Sequence, residues 1–133
     1  MTGARAIVVD ASVLVDALTH RDLRELRREL SGLTLHAPVL VDFEVVSALR
    51  GLVLGRHLSE ARGTDALGDF SALAVRRHAR TPGMLVDLWA LKGHLTAYDA
   101  AYVALAQRLG IPLWTRDTRL ARASAVLVDV RAV

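Results

Sequence analysis

The chain has 133 residues, 53% of them hydrophobic, and a formal net charge of +3. This length suits one domain spanning 1–133, and this composition excludes a disordered chain. The absence of cysteine excludes disulfides and thiolate metal sites and fits a reducing cytoplasm.

The unbroken run Ala6-Ile7-Val8-Val9 predicts a strand buried on both faces. Val13, Leu14, Ala17 and Leu18 then recur at helical spacing, so Asp10 falls where strand gives way to helix. In open α/β sheets that carboxyl edge is where ligands bind. The competing reading is that Asp10 or Ser12 caps the helix.

Arg21 to Leu30 predicts a helix with Leu23, Leu26 and Leu30 as its apolar stripe, stopped by Gly32. Leu33 to Ala37 predicts a second strand. Pro38 takes the favoured first position of a helix running to about Leu54. Ser59 caps the next helix, which Gly63 and Gly68 weaken. Leu73 to Arg77 reads as a third strand. Thr81 and Pro82 open a helix to about Leu91, and Thr96 opens one that Gly110 closes. Ile111 to Thr115 predicts a strand, Asp117 to Ala123 a short helix, and Ala125 to Val130 a last strand. Alternating strands and helices imply βαβ units, right-handed crossovers and a parallel sheet in a three-layer α/β/α sandwich. No membrane association is expected: the longest apolar stretch, 39–54, is broken by Asp42, Glu44 and Arg50. The segment before Asp10 is too short for the apolar core of a secretion signal.

Four acids stand at telling places. Asp117, like Asp10, follows a strand, where it could also cap a helix. Thr96 and Asp99 fit a capping box, yet Asp99 opens a helix that is apolar on much of its circumference. Glu44 has Leu40, Val41, Ser47 and Ala48 one turn away, so no intrahelical ion pair explains it. Asp42 is its rival for the same argument. An unpaired carboxylate is costly to bury. Carboxylates gathered at one sheet edge would repel unless a cation sat among them, and an all-oxygen cluster suits Mg2+ or Mn2+ better than zinc. Ser12 and Thr115 could add hydroxyl bonds to those carboxylates.

Val8-Val9-Asp10-Ala11-Ser12, the run from Glu44 to Arg50, the run from Thr96 to Ala106, and Leu113 to Leu120 resemble PIN-domain proteins. More narrowly they resemble VapC-type toxins of bacterial type II toxin–antitoxin pairs. The resemblance spans nearly the whole chain, with the motifs in the family's order. It implies a parallel five-stranded sandwich and a Mg2+- or Mn2+-dependent endoribonuclease, with Asp10, Glu44, Asp99 and Asp117 as the acidic site and Ser12 and Thr115 in support. It also implies a homodimer held inactive by a cognate antitoxin. One departure is Ser47, where many relatives carry asparagine.

Sixteen of the 17 cations are arginine, whose planar forks match phosphate oxygens. Arg76, Arg77, Arg80, Arg116 and Arg119 are therefore candidates for holding RNA. The five histidines lack metal-ligand spacing and read as surface or loop residues. Tyr98, Tyr102, Trp89 and Trp114 could stack bases, with core packing as the alternative. A receiver-like signalling domain would want a lysine after a late strand, and the single lysine, Lys92, follows a helix. A housekeeping nuclease, or a binding module that keeps the fold without cleavage, is the other alternative.

Overall fold

Ile7, Val8 and Val9 are fully buried, as a strand covered on both faces must be. The computed structural model describes residues 5–20 and 22–133. It contains strands β1 (Ala6–Val9), β2 (Thr34–Pro38), β3 (Val75–His78), β4 (Leu113–Thr115) and β5 (Val130–Ala132). Its helices are α1 (Ala11–Thr19), α2 (Arg24–Ser31), α3 (Leu40–Leu54), α4 (Glu60–Ala72), α5 (Pro82–Ala90), α6 (Ala97–Leu109) and α7 (Thr118–Ser124). All strand pairs are parallel, in the order β3-β2-β1-β4-β5. The chain builds outward from β1 to β3 on one side and then returns to build β4 and β5 on the other. The reversal point therefore lies between the carboxyl ends of β1 and β4, where such sheets open a crevice.

α6 lies against β1 and β2 and is backed by α5, while α1, α3 and α4 pack on one another. Every residue from Ala100 to Ala106 in α6 is buried. No helix among the described residues is long and apolar enough to cross a membrane.

The structure departs from the sequence reading at several points. The predicted start of the second helix, Arg21, lies outside the described residues, and α2 begins at Arg24. Pro38 ends β2 instead of opening a helix. Val39 donates its N–H to His78 O across to β3. The neighbouring Pro38 nitrogen thus faces the β1 side, where pairing has already ended at Val8 and His36, and its missing donor costs nothing. Gly63 also serves the packing of α4. A Cβ there would lie 2.7 Å from Val53 Cγ2, so the glycine lets α4 approach α3. The apolar run 125–128 is a turn, not a strand, because Ser124 O accepts the N–H groups of Leu127 and Val128. β5 starts only at Val130.

His36 and His78 are not isolated loop residues. They stand on adjacent strands with Nδ1 of His36 2.8 Å from Nε2 of His78. Burial, and then the positive charges of His78 and Arg76, push the His36 imidazole below its ordinary value of 6.5. The unfolded chain thus takes up this proton more readily than the folded one, and the contribution turns unfavourable as pH falls below 6.5. We expect melting temperatures of wild type and His36→Asn, compared at pH 7.5 and pH 5, to diverge, with wild type losing more. Parallel losses would rule out this source of acid sensitivity.

Candidate active site

Asp10 occupies the N-cap position of α1 in extended conformation, yet its side chain makes no cap bond. The carboxylate turns instead into the crevice between β1 and β4. Its Oδ2 accepts from Ser12 Oγ at 2.8 Å and from Thr115 Oγ1 at 2.8 Å. Ser12 Oγ also accepts the Arg116 N–H at 3.1 Å, and Thr115 Oγ1 accepts the Asp117 N–H at 3.0 Å. Thr115 is fully buried and Asp10 is 9% exposed. These hydroxyls tie the end of β1 to the turn after β4.

Asp117 does cap α7. Its Oδ1 accepts the N–H groups of Arg119 and Leu120 at 2.9 and 3.2 Å. Its Oδ2 remains and faces the Arg119 guanidinium at 3.4 Å. The capping box at α6 is half used: Thr96 Oγ1 accepts the Asp99 N–H at 3.2 Å. The Asp99 carboxylate turns away to receive Arg119 Nη2 at 2.8 Å. Glu44, in α3, is half-buried and accepts from the Tyr102 hydroxyl at 2.6 Å.

Burial is the main cause that raises the Asp10 carboxyl above its ordinary value; the Thr115 and Ser12 bonds oppose it and the charge of Asp99 adds to it. Glu44 is likewise raised by burial, opposed by the Tyr102 bond, with Asp10 and Asp99 pushing further. Asp10, Glu44 and Asp99 therefore lie in one mutual field, although they come from separate segments of the chain. Asp117 is joined to them through Arg119. Among the described residues, no group of three acid or imidazole side chains is already arranged to hold a metal ion. The donor set is nonetheless all oxygen and short of positive charge, which fits a hard divalent cation.

Asp42, the rival to Glu44, is half-buried as well, but it is ion-paired with Arg77 at 2.7 Å. That guanidinium also lies over the Phe70 ring. Arg116 is committed as well, to Asp16 and to Val133 O. Arg77 and Arg116 are thus held by the protein itself, whereas Arg76 and Arg80 are exposed near the β3 edge. Tyr102 is the residue that sequence reasoning treated too blandly. It is 1% exposed, and its ring packs in the core while its hydroxyl anchors Glu44. Its place three residues after Asp99, on the same helix face, was the available signal. Trp114 is buried, while Tyr98 and Trp89 are exposed.

A parallel sheet in this order, with carboxylates at its reversal point, defines an α/β fold with a ligand crevice at the carboxyl ends of its strands. The chain belongs to the PIN-domain family: the sequence model of the PIN domain matches residues 7–126. Within that family its place is among the VapC proteins. It is 39% identical to Ribonuclease VapC1 of Mycobacterium tuberculosis over 128 residues, covering 95% of this chain and 96% of that one. Its fold matches PAE2754 from Pyrobaculum aerophilum with a TM-score of 0.70 and 25% identity, covering 95% of this chain and 84% of that one. It also matches a chain of a toxin–antitoxin complex from Klebsiella pneumoniae with a TM-score of 0.64 and 20% identity, over 94% and 95% of the two chains.

Proposed function

We propose that this protein is an endoribonuclease that hydrolyses RNA phosphodiester bonds with the help of Mg2+ or Mn2+, and that it is the toxin of a toxin–antitoxin pair acting in the cytoplasm. The observation that carries this reading is the convergence of Asp10, Glu44 and Asp99 into one field, in which burial disfavours the charges of Asp10 and Glu44 and the charge of Asp99 adds to that effect. Such an arrangement stores electrostatic cost that a bound cation would relieve.

Asp10, Asp99 and Asp117 would hold the ion, with Glu44 bonding to it directly or through water. Once bound, a divalent cation can position a phosphate, ionise a water and stabilise the leaving oxygen. The remaining work falls to this chain's own side chains. Ser12 and Thr115 donate to Oδ2 of Asp10 and so hold the carboxylate in place for an ion. Tyr102 fixes Oε1 of Glu44 in the same way. Arg76, Arg80 and Arg119, which are exposed, would be available to RNA phosphates.

The partners follow from the same reading. A cognate antitoxin would cover an apolar surface, and the groove lined by Val46, Leu49, Val53, Leu54 and Leu67 between α3 and α4 has that character. A second copy would cover the exposed Leu85, Val86 and Trp89 of α5.

The test is cleavage of end-labelled RNA by purified protein freed of antitoxin. We expect activity to vanish with chelator, to return with Mg2+ or Mn2+, and to fall about 10^2-fold or more in Glu44→Gln. Cleavage that persists in chelator, or that Glu44→Gln retains in full, would refute the reading.

A further inference from the structure

Arg119 lies in the first turn of α7 and holds two of the four acids at once. Its Nη2 donates to Asp99 Oδ2 at 2.8 Å and lies 3.4 Å from Asp117 Oδ2. Its backbone N–H is separately committed to Asp117 Oδ1, so the start of α7 does not depend on the side chain. The guanidinium is 63% exposed and can leave toward solvent. An ion pair this exposed adds little to stability. Its effect is felt instead by the carboxylates around it, which repel one another and which it partly neutralises.

Resting on the cation-dependent reading above, we infer that Arg119 is a built-in counter-ion that a divalent cation must displace, and that the displaced guanidinium then takes up an RNA phosphate. A guanidinium and a divalent cation cannot share Asp99 and Asp117 without like charges in contact. In the protein alone, ion and side chain compete. RNA ends the competition, because phosphate oxygens offer the guanidinium a bidentate partner. Cation and RNA then each strengthen the binding of the other, as linkage requires. The enzyme loads its ion on substrate and stays poorly loaded without it.

The experiment is titration calorimetry of Mn2+ into wild type and Arg119→Ala, alone and with a hydrolysis-resistant phosphorothioate oligonucleotide. We expect Arg119→Ala alone to bind Mn2+ about tenfold more tightly than wild type. The oligonucleotide should tighten Mn2+ binding to wild type about tenfold more than it tightens binding to the variant, whose gain comes only from the ion's own contact with the phosphate. Equal or weaker Mn2+ binding by Arg119→Ala overturns the inference, as does a wild type indifferent to the oligonucleotide. If neither protein binds Mn2+, the cation-dependent reading itself fails. If affinities are equal while ion-dependent cleavage persists, only the role of Arg119 fails.

Discussion

Asp10→Asn is expected to abolish RNA cleavage, by about 10^3-fold, and at the same time to make the protein more stable at pH 7. An asparagine carbonyl can accept the Ser12 and Thr115 hydroxyl bonds that Oδ2 accepts now, so the local geometry survives. What disappears is a charge in a place where burial and Asp99 oppose it. The folded state holds this proton more tightly than the unfolded chain, whose carboxyl titrates near 3.8. Wild-type stability is therefore eroded as pH rises through the raised value, and Asp10→Asn escapes that erosion. We expect a gain of about 1 kcal/mol, or roughly 3–5 °C in melting temperature, without divalent ions. The gain should shrink as the pH falls through the raised value, below which both chains carry an uncharged group. Millimolar Mg2+ should reverse the order, because it stabilises only the protein that can bind it. A variant less stable than wild type at pH 7 in chelator would show that the Asp10 charge is already compensated.

Thr115→Val should show the opposite pattern, with stability and activity falling together. Valine fills the same space in a position that is fully buried. It takes away a donor to Asp10 and the acceptor of the Asp117 N–H. A buried amide left without a partner, beside a carboxylate that has lost a donor, costs about 2–3 kcal/mol. For a chain of this length that lowers the melting temperature by roughly 10 °C. Cleavage should drop about 10- to 100-fold, the effect expected when a ligand loses its orienting bond. Thr115→Ser keeps the hydroxyl and forfeits one buried methyl, about 1 kcal/mol. Calorimetric scans of the two variants decide the matter: if serine is as damaging as valine, the methyl group and not the hydroxyl matters at this position.

Much of the site was legible because its positions obey local rules. Asp10 and Asp117 follow apolar runs that can only be buried strands, and Glu44 sits in a helix with no cation within a turn. Those signals concern a residue's own neighbourhood, and β1, β4 and α3 stand where they place them. Side-chain commitments across the chain were not legible. Asp42 looked as lonely as Glu44, but its partner Arg77 arrives on β3, 35 residues later. Arg116 looked free for RNA, and its partner Asp16 lies 100 residues earlier. Periodicity reports that a face is covered, without saying which side chain from another segment covers it. The misplaced last strand has a related cause. The run 125–128 is apolar enough for a strand, and only the Ser124 carbonyl, receiving two N–H groups after α7, turns it aside.

The two outer strands of the sheet carry one more implication. Among the described residues, β3 and β5 each leave one side without a neighbour. On β3, Arg76 and Arg77 are exposed; on β5, Arg131 stacks over Trp114 and reaches Glu29. Open rims of this kind invite a passing strand to dock, and fixed positive charge discourages two identical rims from meeting. A preparation in which these arginines had been exchanged for threonine or valine would fold as before, then cloud and gel in the freezer stock while the parent stayed clear.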